Sequence, residues 1–334
     1  MENYNFGKNK WQIFRGSDLE WDETIKFWSD SSYLSGSKWA SHLVKNGWNC
    51  KRWVKETNIG KSYIQSFYKK FLLNSFLIWI PDGIIGEFNN LDGFQNDIKS
   101  ILKFRFCYLQ IRFHRIFKLE DEINLFIYKW QKSDIKLSSD YKIILKTDKP
   151  LKEIEKGFSR NWKRSLKKFD KKRFTIEKIK DHKIVSKIYK EMKNIKLLRK
   201  KNIYSELQCK SIIDSFANNL LVFAVKDEYY NFISLRGVII NNKKIFDIFA
   251  ASNYKGRQNN SSHAILYEII KMANFSNIKE YDLANIDPQN NIGVFNFKKG
   301  TGGDVIKTLG EFEWSNHKIF NLIINMSKVL IKIR

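Results

Sequence analysis

Apolar and polar positions alternate in short segments over the first 150 residues, which is the pattern of half-buried strands. We predict a helix at 37–45, strands at 48–55, 63–71 and 76–80, a helix at 91–103, and strands at 104–112 and 141–146. Asp148-Lys149-Pro150 then interrupts the pattern, because proline disfavours regular structure at the residue before it. A first domain of residues 1–150 follows from this reading.

The second half opens with apolar residues at helical spacing. These residues are Leu151, Ile154, Phe158, Trp162, Leu166 and Phe169, and they predict one amphipathic helix. We then predict a helix at 185–200, strands at 220–225, 232–240 and 245–251, a helix capped by Ser261 or Ser262, a strand at 280–286, a short helix near 294, strands through 312 and a helix at 319–333. A three-stranded meander between helices is the order of an acetyltransferase-type fold, so we expect an α/β protein with mixed sheets and a second domain at 151–315.

The net charge of +25 comes from 60 Lys and Arg against 35 Asp and Glu, and it favours polyanionic partners such as nucleic acid, nucleotide-linked sugars or an anionic membrane. A genome rich in A and T would also encode many lysines, so the net charge alone does not establish a polyanionic partner. The distribution of the charged residues along the chain is the better criterion. Residues 151–173 hold ten Lys or Arg and three acids, whereas a merely solvated helix face usually mixes signs. The phosphate-binding candidates are Arg160, Lys163, Arg164 and Lys167, and Arg164 is preferred because a guanidinium can bind phosphate through two hydrogen bonds.

Cysteines are few and widely spaced, at positions 50, 107 and 209, and the five histidines share no ligand spacing. We therefore expect neither a disulfide framework nor a metal site.

Residues 1–10 lack the apolar core of a signal peptide, and no apolar run reaches the length of a membrane span. The expected location is the cytoplasm, with peripheral contact to an anionic membrane left open.

The passage from Asp287 to Gly303 has the most unusual composition. Phe297 is followed by Lys298 and Lys299, and then by three glycines within four residues. Lysine supplies charge, glycine lets backbone amides approach a ligand, and a ring can stack on a base, so the passage suits an anionic ligand. An ordinary glycine-rich turn with its aromatic rings in the core fits the residues equally well.

This part of the chain carries ordered motifs: Tyr281-Asp282-Leu283, Asp287-Pro288, Gly293-Val294-Phe295-Asn296-Phe297-Lys298-Lys299-Gly300, Gly302-Gly303 and Gly310-Glu311-Phe312, with Ala250-Ala251-Ser252 and Gly256-Arg257 upstream and Trp39, Gly47-Trp48 and Pro81-Asp82-Gly83 in the first half. In this order the motifs resemble the Fem family of peptidoglycan bridge-forming aminoacyltransferases. The resemblance spans nearly the whole chain and is specific between residues 250 and 313. Ala250 and Asn285 replace glycines of the family pattern, and Thr301 replaces an aromatic residue.

The resemblance implies two acetyltransferase-like domains without a coiled-coil arm, with the last helix, 316–334, returning to the first domain. It implies transfer from aminoacyl-tRNA to an amine of a UDP-linked or lipid-linked cell-wall precursor, with no cofactor. The family's Phe-Lys pair at the active site corresponds to Phe297 and Lys298. The resemblance further points to Lys45 in the first half, to Arg257 and to Lys299 as substrate-binding residues.

Two carboxylates flank the end of the predicted strand at 280–286. Asp282 and Asp287 are candidates to orient or deprotonate the acceptor amine, although Asp287 also fits a plain Asp-Pro turn. His263 is either a proton shuttle or an ordinary polar residue in the first turn of its helix. No motif supports a hydroxyl or thiol nucleophile, so we expect direct attack by the amine on the donor ester.

Two rival functions stay open. An acyl-CoA-dependent N-acyltransferase, acting on a nucleotide sugar or a surface polysaccharide precursor, is disfavoured because residues 253–258 hold a single glycine where a pyrophosphate-binding loop usually has more. A non-catalytic, basic RNA-binding protein would use the same positive surface.

Overall fold

The computed structural model describes residues 9–193 and 205–330, without the side chains of residues 189, 190, 192, 193 and 327–330. The chain divides into two compact units, the first within residues 1–140 and 307–334 and the second within 141–306. Among the helices of the described ranges, none has both the length and the apolarity needed to cross a membrane.

The first unit is built on a mixed sheet. Its strands are β1 (Gln12–Ile13), β2 (Asn49–Thr57), β3 (Gly60–Phe71), β4 (Ser75–Ile80), β5 (Ile85–Gly86), β6 (Phe106–Ile116), β7 (Gln131–Lys132) and β14 (Asp304–Ser315), and its helices are α1 (Asp18–Ile25), α2 (Ser37–Lys45), α3 (Phe94–Leu102), α4 (Leu119–Ile127) and α12 (Lys318–Leu330). The strand order is β1-β2-β3-β4-β6-β14, and only the pair β4 and β6 is parallel. Trp11, Trp53 and Phe94 lie in its core, and Phe320 of α12 packs on Phe106 at the end of the sheet.

The second unit is also built on a mixed sheet. Its strands are β8 (Tyr141–Lys146), β9 (Thr175–Ile179), β10 (Leu220–Lys226), β11 (Phe232–Asn241), β12 (Lys244–Ser252) and β13 (Glu280–Ile286), and its helices are α5 (Leu151–Gly157), α6 (Arg160–Lys167), α7 (His182–Lys193), α8 (Glu206–Phe216), α9 (Tyr254–Gln258), α10 (Ser261–Phe275) and α11 (Ile292–Lys299). The order is β9-β10-β11-β12-β13-β8, and only β12 and β13 run parallel. Strand β8, which the sequence analysis placed in the first domain, pairs here with β13.

The parallel pair of the second unit opens after three residue pairs. Lys244, Ile245 and Phe246 lie opposite Glu280, Tyr281 and Asp282, and the register ends there, although β12 continues to Ser252. Strand β13 bends at this point, because Ala284 has a positive φ of 60° and the pairing with β8 shifts between Asp282 and Asn285. An α/β fold with acetyltransferase-like mixed sheets was predicted from the sequence and is confirmed.

The predicted single helix at 151–169 is wrong, because the chain breaks between α5 and α6. Phe158 is extended, with ψ 136°, and Ser159 caps α6 through its hydroxyl, which accepts a hydrogen bond from the Trp162 amide. The apolar stripe is still buried, so the spacing identified the correct face and missed the break. A serine at the cap position is the local signal for a new helix start.

Other differences in the second unit are two elements that were not predicted and the ends of two helices. Helix α8, with its Ser205–Gln208 capping box, and edge strand β9 were not predicted. Asn260, in the left-handed region at φ 55°, is the N-cap of α10 instead of Ser261 or Ser262. The predicted helix at 185–200 is present as α7 up to Lys193, and its remainder lies outside the described residues.

Candidate active site

Lys298 lies in the last turn of α11 and is buried, with 8% of its surface exposed. Its Nζ donates a hydrogen bond of 3.1 Å to the carbonyl oxygen of Asn285, just beyond the point where β13 leaves β12. Burying an ammonium group is costly unless it has acceptors. The fold therefore holds a positive charge next to the opening between the two strands.

The ring of Phe297, the preceding residue, is contacted by two polar groups. The guanidinium carbon of Arg236 lies 5.4 Å from the ring centroid, and the imidazole of His263 meets the ring edge-on at 4.9 Å. Trp162 of α6 lies on the other side of His263, with 5.3 Å between ring centroids. Residues from β11, α10 and α6 thus form one cluster with the ring of Phe297 from α11.

Arg236 is held in this cluster by a buried ion pair. Its Nη1 lies 2.6 Å from Oδ2 of Asp247, and the Tyr281 hydroxyl donates to Oδ1 of the same carboxylate at 3.4 Å. Burial and the nearby Asp247 charge raise the pKa of Tyr281 well above its usual value, so the hydroxyl keeps its proton. The sequence analysis did not identify this ion pair.

Three buried polar atoms of the cluster have no hydrogen-bond partner among the described residues: Nδ1 of His263, Nε1 of Trp162 and Nε of Arg236. Burial first, and the Arg236 charge second, lower the pKa of His263 to about 4. The imidazole is therefore neutral at pH 7. Buried polar groups are rarely left unpaired, so these atoms mark a place where a ligand or water is expected to bind.

The lowered pKa of His263 predicts a pH-dependent stability of the second unit. An unfolded histidine, with its pKa near 6.5, takes up a proton as the pH falls, while folded His263 stays neutral until about pH 4. Unfolding is therefore favoured between these values, by about 2 kcal/mol at pH 5 relative to pH 8. Urea unfolding at both pH values, with hydrogen exchange of α10, should show this loss in the wild type and a smaller one in His263→Gln. An equal loss in both proteins would contradict the assignment.

The glycines after Lys299 serve packing, which corrects the reading of a backbone cradle for an anion. The amides of Gly300, Thr301 and Gly302 are already bonded to carbonyls of Asn296, Lys298 and Lys299. A Cβ on Gly300 would lie 2.8 Å from the Trp162 ring, and one on Gly302 would lie 2.6 Å from the Gly157 carbonyl oxygen. The glycines allow the end of α11 to approach the break between α5 and α6, where the Ser159 amide donates to the Gly300 carbonyl.

Gly302→Ala is expected to destabilise the second unit by at least about 2 kcal/mol, since it combines a positive φ of 80° with a backbone overlap. Gly293→Ala is the matched control on α11. A Cβ there meets no atom within 4 Å, and alanine favours a helix over glycine, so this variant should be as stable as wild type or slightly more so. Thermal unfolding of the two variants would test the difference; equal stabilities would refute the packing argument.

The two predicted carboxylates have different surroundings. Asp282 is buried, and its Oδ2 lies 3.0 Å from Nζ of Lys142, while Oδ1 accepts the Ala284 amide. Asp287 accepts hydrogen bonds from the amides of Gln289 and Asn290, and the hydrogen bonds from Asn290 lower its pKa. Asp287 is thus engaged in its own turn, and a lowered pKa makes a poorer base.

The predicted phosphate-binding residues of α6 are exposed: Arg160, Lys163, Arg164 and Lys167. Arg257 is also exposed, on α9, and Lys299 donates to the Gly303 carbonyl at 3.0 Å. Lys45 is exposed at the end of α2 and belongs to the first unit.

In the described part of the chain, no three His, Cys, Asp or Glu side chains form a metal-binding group.

A comparison with protein-family models gives a match between residues 208–328 and the FemAB family. This segment contains β10 to β13, α11 and the Phe297-Lys298 pair, so the Fem resemblance inferred from the sequence motifs is confirmed. No curated protein matches the chain at a significant level.

Solved structures share the fold of this chain. The crystal structure of FemX superposes with a TM-score of 0.75 at 16% identity, covering 94% of this chain and 99% of FemX. L-PGS from Bacillus licheniformis gives 0.54 at 12% identity, over 97% and 98% of the two chains. A tandem GNAT protein from the clavulanic acid biosynthesis pathway gives 0.56 at 7% identity, over 92% and 98%. At such identities the likeness establishes a GNAT-like fold.

Proposed function

We propose that the chain is an acyltransferase that moves an aminoacyl group from aminoacyl-tRNA to an amine of a peptidoglycan precursor. The observation that carries the proposal is buried Lys298, held against the Asn285 carbonyl where β12 and β13 part. Lys298 lies inside the segment that matches the FemAB family. The fold shared with FemX and L-PGS supports the broader class of acyl or aminoacyl transfer.

The reaction needs little beyond positioning and charge stabilisation, since the ester donor is already activated. The acceptor nitrogen attacks the ester carbonyl carbon; the new N–C bond forms, the C–O bond to the tRNA ribose breaks, and the ribose hydroxyl leaves with the proton lost by the amine. Negative charge develops on the carbonyl oxygen. The ammonium of Lys298 would stabilise that charge, and the Phe297 ring would support the terminal base or the acceptor.

The basic face of α6 is where we propose that the donor's phosphates bind. Arg160, Arg164 and Lys167 are exposed, and none of them forms an ion pair with a described acidic side chain. Trp162 of the same helix lies in the cluster around His263 and Phe297. A phosphate backbone along α6 would therefore lead toward Lys298.

The segment Asn253–Gln258 argues against CoA as the donor. The amide of Gly256 donates to the Asn253 side chain at 2.9 Å, so it is not free to hold a pyrophosphate. Lys255 is paired with Asp227 at 2.7 Å and with Glu228 at 3.2 Å, and these acids would repel a diphosphate.

The proposal is tested by incubating the protein with either labelled aminoacyl-tRNA or labelled acyl-CoA, together with UDP-linked and lipid-linked cell-wall precursors. We expect label to move from tRNA into a precursor amine and none to move from CoA. Transfer from CoA alone would identify the rival N-acyltransferase. Salt-sensitive tRNA binding without transfer, and with equal affinity for charged and uncharged tRNA, would identify an RNA-binding protein. A tRNA donor would place the reaction in the cytoplasm.

A further inference from the structure

The first unit exposes an apolar surface at one end of its sheet. The turn between β3 and β4 carries Leu72 and Leu73, which are 89% and 69% exposed. Leu73 has a positive φ of 55°, so the tight turn itself presents both side chains outward. Two leucines at the tip of a turn form an exposed apolar surface that no described residue of the unit covers, and such surfaces often mark an interaction site.

Helix α12 adds a second apolar strip beside this turn. Phe320 and Ile324 face the sheet, and Phe320 lines a cleft together with Lys70, Phe71 and Leu72. The opposite side of the helix exposes Ile319, Leu322, Ile323 and Met326, which follow helical spacing. Through Phe320 the cleft places α12 next to the turn, and we call the exposed apolar residues of both elements the tip surface (Phe71, Leu72, Leu73, Ile319, Leu322, Ile323 and Met326).

The charged residues in the segments that adjoin the tip surface are all basic. The adjoining segments 68–75, 98–106 and 315–330 contain seven Lys or Arg and no Asp or Glu. Lys103 and Arg105 lie next to the turn, since the Lys103 carbonyl accepts from the Asn74 side chain and the Arg105 amide donates to the Asn74 carbonyl. Lys70, Lys103, Arg105 and Lys318 are exposed.

We infer that the tip surface is a docking site for an anionic lipid bilayer. Aliphatic side chains that enter the interface, ringed by lysines that meet lipid phosphates, are the two elements of reversible membrane binding. Phe71 is the one aromatic residue of the seven that define the tip surface, and the other six side chains do not stack on bases, which disfavours RNA as the occupant. This inference concerns the first unit and does not depend on the proposed transfer reaction.

Helix α4 of the same unit also exposes apolar residues, and it can be compared with the tip surface. Helix α4 exposes Leu119, Ile123 and Ile127, but its first turn holds Glu120, Asp121 and Glu122. Asp121 and Glu122 are paired with Arg115 and Lys132, so the charges around α4 are mixed. The two strips therefore have similar apolar character, but α4 lacks a purely basic surround, which makes it the matched control.

The test is sedimentation of the full chain with vesicles of phosphatidylcholine containing about one third phosphatidylglycerol. Leu72→Ser/Leu73→Asn should weaken binding by about tenfold or more, and asparagine tolerates the positive φ at position 73. Lys70→Gln/Lys103→Gln should weaken it by about fivefold for each charge removed, on anionic vesicles only. Leu119→Ser/Ile127→Ser on α4 should bind within about twofold of wild type.

Circular dichroism of each variant checks that the fold is retained. Vesicle binding that is unchanged by the tip variants, or lost equally in the α4 variant, would overturn the inference. Detection of a dimer by analytical ultracentrifugation would also overturn the inference, if the Leu72→Ser/Leu73→Asn substitutions dissociated that dimer without changing vesicle binding. The tip surface would then join two copies of the chain. A loss of tRNA affinity in place of vesicle affinity would identify a nucleic-acid surface and overturn it as well.

Discussion

Lys298→Met is expected to lower the rate of aminoacyl transfer by about 100- to 1000-fold, the range seen when one group that stabilises a developing oxyanion is removed. Methionine keeps an unbranched side chain of similar length and loses the ammonium group, so the packing of α11 should survive. The Nζ contact with the Asn285 carbonyl disappears with the charge. The measurement is kcat/KM for transfer of label from aminoacyl-tRNA to the precursor amine.

Two further variants make this result specific. Lys271→Met removes a lysine of α10 that is paired with Glu268 at 2.7 Å and lies outside the cluster, so activity should stay close to wild type. Lys298→Arg keeps the charge in a larger head group and should retain more activity than Lys298→Met. Wild-type activity in Lys298→Met would contradict the role proposed for this residue. A loss of tRNA affinity with unchanged kcat would show that Lys298 acts in binding the tRNA and not in the chemical step.

The elements with strong periodic patterns were predictable from the sequence. Strand β13 lies at 280–286 as predicted, because Tyr281 and Leu283 alternate with polar residues between a turn and Asp-Pro. The break between α5 and α6 was not, because Trp162 and Phe158 keep helical spacing across it. Spacing reports which side of a segment is buried, whereas the break depends on Gly300 and Gly302 of a distant segment.

The same distinction applies to the candidate site. Motif order selected Phe297 and Lys298, and the structure places the Phe297 ring against His263. Arg236 and Asp247 were missed, because they belong to two strands whose register contains an irregularity between Gly237 and Val238. A charged residue inside each of two apolar strands was the available signal, since charges rarely enter a core unpaired. For Asp287 the sequence left two readings open, and the structure shows the carboxylate accepting hydrogen bonds within its own turn.

Asp247→Ala is expected to destabilise the second unit by about 3–5 kcal/mol, because it leaves the Arg236 charge buried without its partner. The side chains of the pair are only 5% and 7% exposed, and the Tyr281 hydroxyl loses its acceptor at the same time. A loss of this size is a large part of the stability of an ordinary domain. Urea unfolding, together with hydrogen exchange of β11 and β12, would measure it.

The control and the compensating variant separate stability from function. Glu153→Ala removes an exposed ion pair with Lys149 in the same unit and should cost less than about 1 kcal/mol. Arg236→Met/Asp247→Leu replaces both charges with apolar groups and should recover most of the lost stability. This double variant no longer places a cation over the Phe297 ring, so it should fold well and still transfer more slowly if Arg236 positions that ring. If Asp247→Ala were as stable as Glu153→Ala, the Arg236 charge would have to be solvated, and the site around Phe297 and Lys298 would be open to water.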